Sequence, residues 1–170
     1  TYLSAFDAKA TGAERCLFVA HREEILERAA ESFAAVLPDR STGMIGAGRF
    51  EREADLVFAS VQTLSRKRHL DGFRPDHFDY IVIDEFHHAA AATYRKILSH
   101  FTPRFLLGLT ATPDRMDGAN LLHLCGDNLV YRRDLIHGIT AKLLVPFRYF
   151  GVRDTVDFAP IPWRSGRFDA

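Results

Sequence analysis

Two adjacent carboxylates, Asp84 and Glu85, leave the end of the apolar run "YIVI", and His87 and His88 follow one residue later. An acid at the tip of a buried strand, beside a phosphate, can hold Mg²⁺, usually through water. Its neighbour then points at a different atom and can polarise an attacking water. A plainer part fits the same pair, that of a strand end that starts a turn or caps the next helix. About 26 residues on, Thr110, Ala111 and Thr112 follow a second apolar run and offer two hydroxyls with close backbone approach. An ST-turn closing the strand, stopped by Pro113, would use the same residues.

The elements that must position these groups are legible as apolar runs. "CLFVA" (16–20), "DLVFAS" (55–60), "YIVID" (80–84) and "FLLGLT" (105–110) are nearly continuous rather than alternating. That pattern predicts strands buried on both faces of a parallel sheet. Between them, "EEILERAAESFAAVL" (23–37) places Ile25, Leu26, Ala29, Phe33 and Leu37 on one helical face, with Glu23 and Glu24 in the first turn, where the helix dipole favours anions. A second helix is predicted over 90–101, with Tyr94, Ile97, Leu98 and Phe101 inward. Alternating strands and helices imply right-handed βαβ units with helices on both sheet faces. Ligands of such folds bind beyond the carboxyl ends of the strands. His21, Ser60, Asp84, Glu85 and Thr110 all fall at or just past those ends.

The totals narrow the class. Apolar residues at 47% and charged residues at 26% suit a globular chain rather than a disordered one. Lys plus Arg and Asp plus Glu both number 22, so contact with nucleic acid must come from local basic groups and not from a cationic body. Cys16 and Cys125 stand far apart in apolar settings, which points to a reducing, cytoplasmic compartment rather than a disulfide framework. No apolar run approaches the ~18–20 residues of a membrane span.

Other segments carry weaker signals. "GMIGAGRF" (43–50) lacks a following Lys-Ser/Thr and reads as a surface loop. "SRKRH" (65–69) fits a nucleic-acid contact or a solvated charged face equally well. The histidines do not fall at zinc-ligand spacing with the cysteines. His88 is expected on the start of the following helix in a structural or solvent role, and Trp163 as a core aromatic or an anchor for a partner domain. From about residue 138 the pattern loosens into "LLVPFRYFGV" and "APIPWRSGRF", a linker unless "VPFRYF" forms an edge strand. The opening "TYLSAFDAKA" is helical in pattern and lacks an initiating Met, as expected of a piece of a longer protein.

"VIDEFHH" followed by "GLTATPDR" resembles motifs II and III of the superfamily 2 DEAD/DEAH-box helicases, in a variant box written DEFH. "LFVAHREEIL" (17–26) resembles motif Ia, and "VFASVQTLSR" (57–66) the next nucleic-acid-contacting segment. Four motifs in order cover roughly residues 1–118, in the flavour of the branch holding type III restriction subunits and related DNA translocases. The resemblance implies a RecA-like (P-loop NTPase) domain, three-layer α/β/α with a mainly parallel sheet, using ATP and Mg²⁺. It implies that Asp84 holds Mg²⁺, that Glu85 orients the hydrolytic water, and that His87 links the nucleotide site to motif III. Thr110, Ala111 and Thr112 would couple ATP state to domain movement. His21, Arg22, Ser60, Gln62 and Thr63 would lie along the nucleic-acid backbone, in contacts that carry no sequence information. Phe86 stands where the commoner boxes carry Ala or a similarly small residue.

The chain lacks G-x-x-x-x-G-K-[ST], the loop that cradles phosphates. In the family that loop runs into a helix like "YLSAFDAK", so Thr1 is expected to be its final Thr, a Mg²⁺ ligand, with the preceding Gly-Lys upstream. Residues 1–140 are then expected to be the first of two motor domains of an ATP-driven helicase or translocase. Residues 141–170 would lead toward a second RecA-like domain. DNA is favoured over RNA as track. The chain alone is expected to be inactive or very weak. A non-catalytic scaffold that binds nucleic acid or a partner is the alternative, and a metal-dependent hydrolase using Asp84, Glu85, His87 and His88 a third that lacks separated ligands.

Overall fold

The computed structural model describes residues 1–112 and 122–151, with the backbone of 163–164 and 167–168. Two compact units follow each other, Thr1–Leu129 and Val130–Ala170. The first holds helices α1 (Tyr2–Ala10), α2 (Glu23–Val36), α3 (Val61–Leu64), α4 (Lys67–Leu70) and α5 (Ala92–His100). Its strands are β1 (Cys16–Ala20), β2 (Thr42–Gly46), β3 (Arg49–Phe50), β4 (Leu56–Ser60), β5 (Tyr80–Ile83) and β6 (Phe105–Gly108). They form one sheet in the order β3-β2-β4-β1-β5-β6, parallel except for β3. The fold is therefore the expected three-layer α/β/α arrangement, with crossovers that return every strand except β3 in the same direction.

The apolar runs are continuous because the sheet is covered twice. Along β1, Leu17 and Val19 join one core with Ile81 and Ile83 of β5 and with Val61, Leu64, Tyr94 and Ile97 from α3 and α5. Cys16, Phe18 and Ala20 point the other way and pack with Ala5, Ala8, Leu26, Ala29 and Phe33 of α1 and α2. β1, β2, β4, β5 and β6 feed both cores by their period of two, which leaves few positions for a polar residue. Tyr80 Oη donates to Asp7 Oδ2 at 2.6 Å, which fastens α1 to β5. At the far edge β6 is half-exposed, with Phe105 at 38%.

The segment expected to be a surface loop is not one. Residues 42–46 form a parallel strand beside β4 and turn back through Ala47 and Gly48 into β3. Both turn residues have positive φ, 47° and 80°, the signature of a two-residue hairpin turn. Glycines hid the strand. Only Met44 and Ile45 supply buried apolar side chains, while a Cβ on Gly43 would meet the Glu51 carbonyl and sit 3.0 Å from Ala54 Cβ. The strand exists because β4 offers a free edge and the glycines let β3 close against it.

Helix 90–101 begins slightly later than expected, at Ala92, because Phe86–His88 form a separate 3-10 turn that contains His88. In the second unit, α6 (Leu135–Thr140) is capped by Asp134, whose Oδ1 accepts the His137 N–H at 2.7 Å. Residues 145–150 carry no strand, so "VPFRYF" is not an edge strand. A hairpin of β7 (Trp163–Arg164) and β8 (Arg167–Phe168) follows. Pro113, Asp114 and Arg115, the prolines of "APIP" and the Trp163 side chain lie outside the described residues.

Candidate functional site

The carboxyl ends of β2, β4, β1, β5 and β6 share one rim, since the five run parallel in register. At its centre the Asp84 N–H donates to Val19 O at 3.0 Å, so the strand pairing continues one residue past β5 and delivers Asp84 half-exposed to the rim. The next residue turns sharply. Glu85 lies in the left-handed region at φ 51° and ψ 52°, a conformation that costs a non-glycine residue ~1–2 kcal/mol. The Phe86 N–H, donating to Leu109 O at 2.8 Å, fixes the turn from the far side. Backbone strain of this kind clusters at functional sites.

His87 ties the turn to the neighbouring strand end. Its Nδ1 lies 3.2 Å from Glu85 Oε2 and 3.1 Å from Thr110 Oγ1. Thr110 Oγ1 also accepts the Thr112 N–H at 3.1 Å, leaving Ala111 exposed between them. One imidazole thus touches both acid and hydroxyl loops, which are 23 residues apart. Beneath it Phe86 is buried against Gly108, where an added Cβ would come within 2.6 Å of the Phe86 ring. Tyr94, from α5, is 3% exposed, and its buried hydroxyl has no hydrogen-bond partner among the described residues. Burial raises the Tyr94 phenol above its ordinary range, and the nearby Asp84 and Glu85 charges add to the rise.

The other predicted residues spread along the rim. His21 follows β1, with its Nδ1 buried and without a partner among the described residues, and its carbonyl accepting Gln62 Nε2 at 3.3 Å. Ser60 is 5% exposed, and its hydroxyl is spent locally: it accepts the Thr63 N–H and donates to Thr63 Oγ1 at 3.0 Å, capping α3. Arg22 and Gln62 are exposed. Thr1 is the exposed N-cap of α1, its carbonyl taking the Ser4 hydroxyl at 2.6 Å; among the described residues no hydrogen bond joins it to Asp84 or Glu85. In the basic run, Arg66, Lys67 and Arg68 are exposed. His69 is held below its ordinary pKa by burial, then by Arg68 and Arg66.

The profile of the family described as type III restriction enzyme, res subunit, matches residues 1–115. The chain belongs to this family. A related curated protein of Saccharomyces cerevisiae, IRC3, provisionally named an ATP-dependent helicase, is 30% identical over 156 residues, covering 86% of this chain and 22% of its own length. Among solved structures, the UvsW helicase of bacteriophage T4 shares the fold with a TM-score of 0.58 and 20% identity, over 74% of this chain and 46% of that one. The SWI2/SNF2 ATPase core of Sulfolobus solfataricus, solved with double-stranded DNA, matches with a TM-score of 0.53 and 17% identity, over 71% and 27%. The chain spans about a fifth of the length of IRC3.

Sequence reasoning missed three rim residues. Tyr94 reads as an ordinary core residue of α5, and His88 as a helix start. Gly108 opens the segment "GLTATPDR", but nothing in that pattern marks its contact with Phe86. Only the side-chain contacts single them out. Among the described residues no helix is long and apolar enough to cross a membrane.

Proposed function

We propose that the chain is the first motor domain of an ATP-driven nucleic-acid helicase or translocase, hydrolysing ATP at the Asp84–Glu85 turn. The observation that carries this reading is His87, whose Nδ1 lies 3.2 Å from the Glu85 carboxylate and 3.1 Å from the Thr110 hydroxyl. A strand-end pair that merely started a turn would need neither the left-handed Glu85 nor that bridge. In this reading Glu85 polarises the attacking water, and His87 holds its carboxylate in line. Thr110 and Thr112, with Ala111 between them, report the state of the site to the domain that closes over it. That domain is a second RecA-like domain of the same protein, source of the arginine that neutralises transition-state charge. Residues 1–140 form the ATP-binding domain and 141–170 lead toward its partner.

The donor set fits Mg²⁺. Among the described residues no group of three or more His, Cys, Asp or Glu comes together to hold a metal. A single half-exposed carboxylate, Asp84, suits an ion that keeps its waters and binds mainly to substrate phosphates. Asp84 would hold Mg²⁺, with Thr1 as second ligand, and the ion would neutralise charge on the phosphates. His21, Arg22, Ser60, Gln62 and Thr63 line the track. DNA is favoured as the track, in keeping with the type III restriction family to which the chain belongs. Two free cysteines suit the cytoplasm. The test is ATP turnover by the full-length protein with single- or double-stranded DNA or RNA. Glu85→Gln should lower nucleic-acid-stimulated turnover by about 100-fold or more while leaving nucleic-acid binding intact. Equal turnover in the variant would overturn the reading, and binding without turnover in the native protein would make the domain a scaffold.

A further inference from the structure

The rim holds a buried ring nitrogen, His21 Nδ1, that meets no hydrogen-bond partner among the described residues. What the His21 ring does meet is another imidazole. It packs edge-on to His88 with centroids 5.7 Å apart and planes at 70°. His88 in turn lies on His87, centroid to centroid at 4.1 Å, and His87 Nδ1 reaches Glu85 and Thr110. Gln62 closes the other end through its bond to the His21 carbonyl. Side chains thus run without a break from the edge assigned to nucleic acid to the carboxylate assigned to water.

The backbone makes this row stiff. Asp84 N–H on Val19 O locks the tip of β1 to the tip of β5, so His21 and the turn after Asp84 cannot separate. The 3-10 turn is held by Phe86 N–H on Leu109 O, His88 N–H on Glu85 O and Ala91 N–H on His88 O. With the turn pinned, a displacement of the His21 ring is taken up by side-chain rotation, first at His88 and then at His87. A change of χ at His87 alters its bond to Glu85, the geometry on which water activation depends.

We propose that His88 is a positioning residue that transmits engagement of nucleic acid at His21 and Gln62 to His87 and thereby to Glu85. The inference rests on the motor reading above and adds to it a route separate from the Thr110–Thr112 loop. His88 is exposed, so its replacement leaves the core intact.

The experiment compares steady-state ATP turnover of the full-length protein, native and with His88→Ala, His88→Phe or Glu85→Gln. Each is measured alone and with saturating single-stranded DNA or RNA oligonucleotide. His88→Ala should keep the nucleic-acid-free rate, the KM for ATP and the oligonucleotide affinity, yet lose at least ~5-fold of the stimulation, the low end of ordinary coupling between sites. His88→Phe, which keeps a ring between the other two, should restore it. Full stimulation in His88→Ala, an equal fall in free and stimulated rates, or failure of the Phe variant would each overturn the proposal. A native protein without turnover that Glu85→Gln reduces would sink the motor reading itself, and this inference with it.

Discussion

Gly108→Ala is the most exacting test of the packing under the acid turn. A Cβ at this position would lie 2.6 Å from Phe86 Cγ and 2.7 and 3.0 Å from its two Cδ atoms, where non-bonded carbons settle at ~3.5–4.0 Å. About 1 Å of displacement is therefore required. Cγ is the root of the ring, so turning the ring about its own axis does not clear it. The Phe86 N–H is tied to Leu109 O, and the side chain is 5% exposed among packed neighbours. Overpacking of this kind costs ~1–3 kcal/mol, and the pinned ring argues for the upper half. Replacing glycine within a strand returns ~0.5–1 kcal/mol, for a net loss of about 2 kcal/mol.

Urea unfolding followed by circular dichroism measures that loss as a shift in midpoint at constant slope. Phe86→Ala alone should cost ~3–5 kcal/mol by emptying the same space. In that background Gly108→Ala should stabilise by the same ~0.5–1 kcal/mol, because the new methyl enters the vacated volume, so the coupling between the two sites is about −2.5 kcal/mol. Additive losses to within ~0.5 kcal/mol, or a cost of Gly108→Ala below that value, would refute the reasoning. The pair also explains the unusual box, since a phenylalanine after the two acids is accommodated by a glycine at the end of the next strand.

Two further outcomes probe the frame around the site. Tyr80→Phe removes the 2.6 Å bond to Asp7 and should cost about 1.5 kcal/mol, with faster amide exchange in α1 than elsewhere as the readout that localises the loss. Asp55 accepts both the hydroxyl and the N–H of Ser41. These bonds hold its carboxyl below the usual range. A depressed folded value means stability present above the unfolded pKa and lost as pH falls through the folded one. Asp55→Asn should therefore be less stable than the native chain at about pH 7, and the gap in melting temperature should close toward about pH 2. A gap that persisted in acid would show that the Ser41 bonds do not depend on the charge.

Strands β1, β4, β5 and β6 were legible because a strand covered on both faces must be apolar at every position, and such runs are visible without knowing their partners. The rim followed from the same logic, as parallel strands put their carboxyl ends on one side. β2 and β3 were not legible, for their stability lies in a shared edge and in glycines that admit close backbone approach, neither of which has a local signature. Nor was the left-handed turn at Glu85, which is set by a hydrogen bond from Phe86 to a strand more than 20 residues away. The local sequence determined which side chains reach the rim. Tertiary structure decided which of them touch: His87 with Thr110, Phe86 with Gly108, His21 with His88. Those pairings depend on sheet order and strand register, which arise only when the whole chain closes on its two cores.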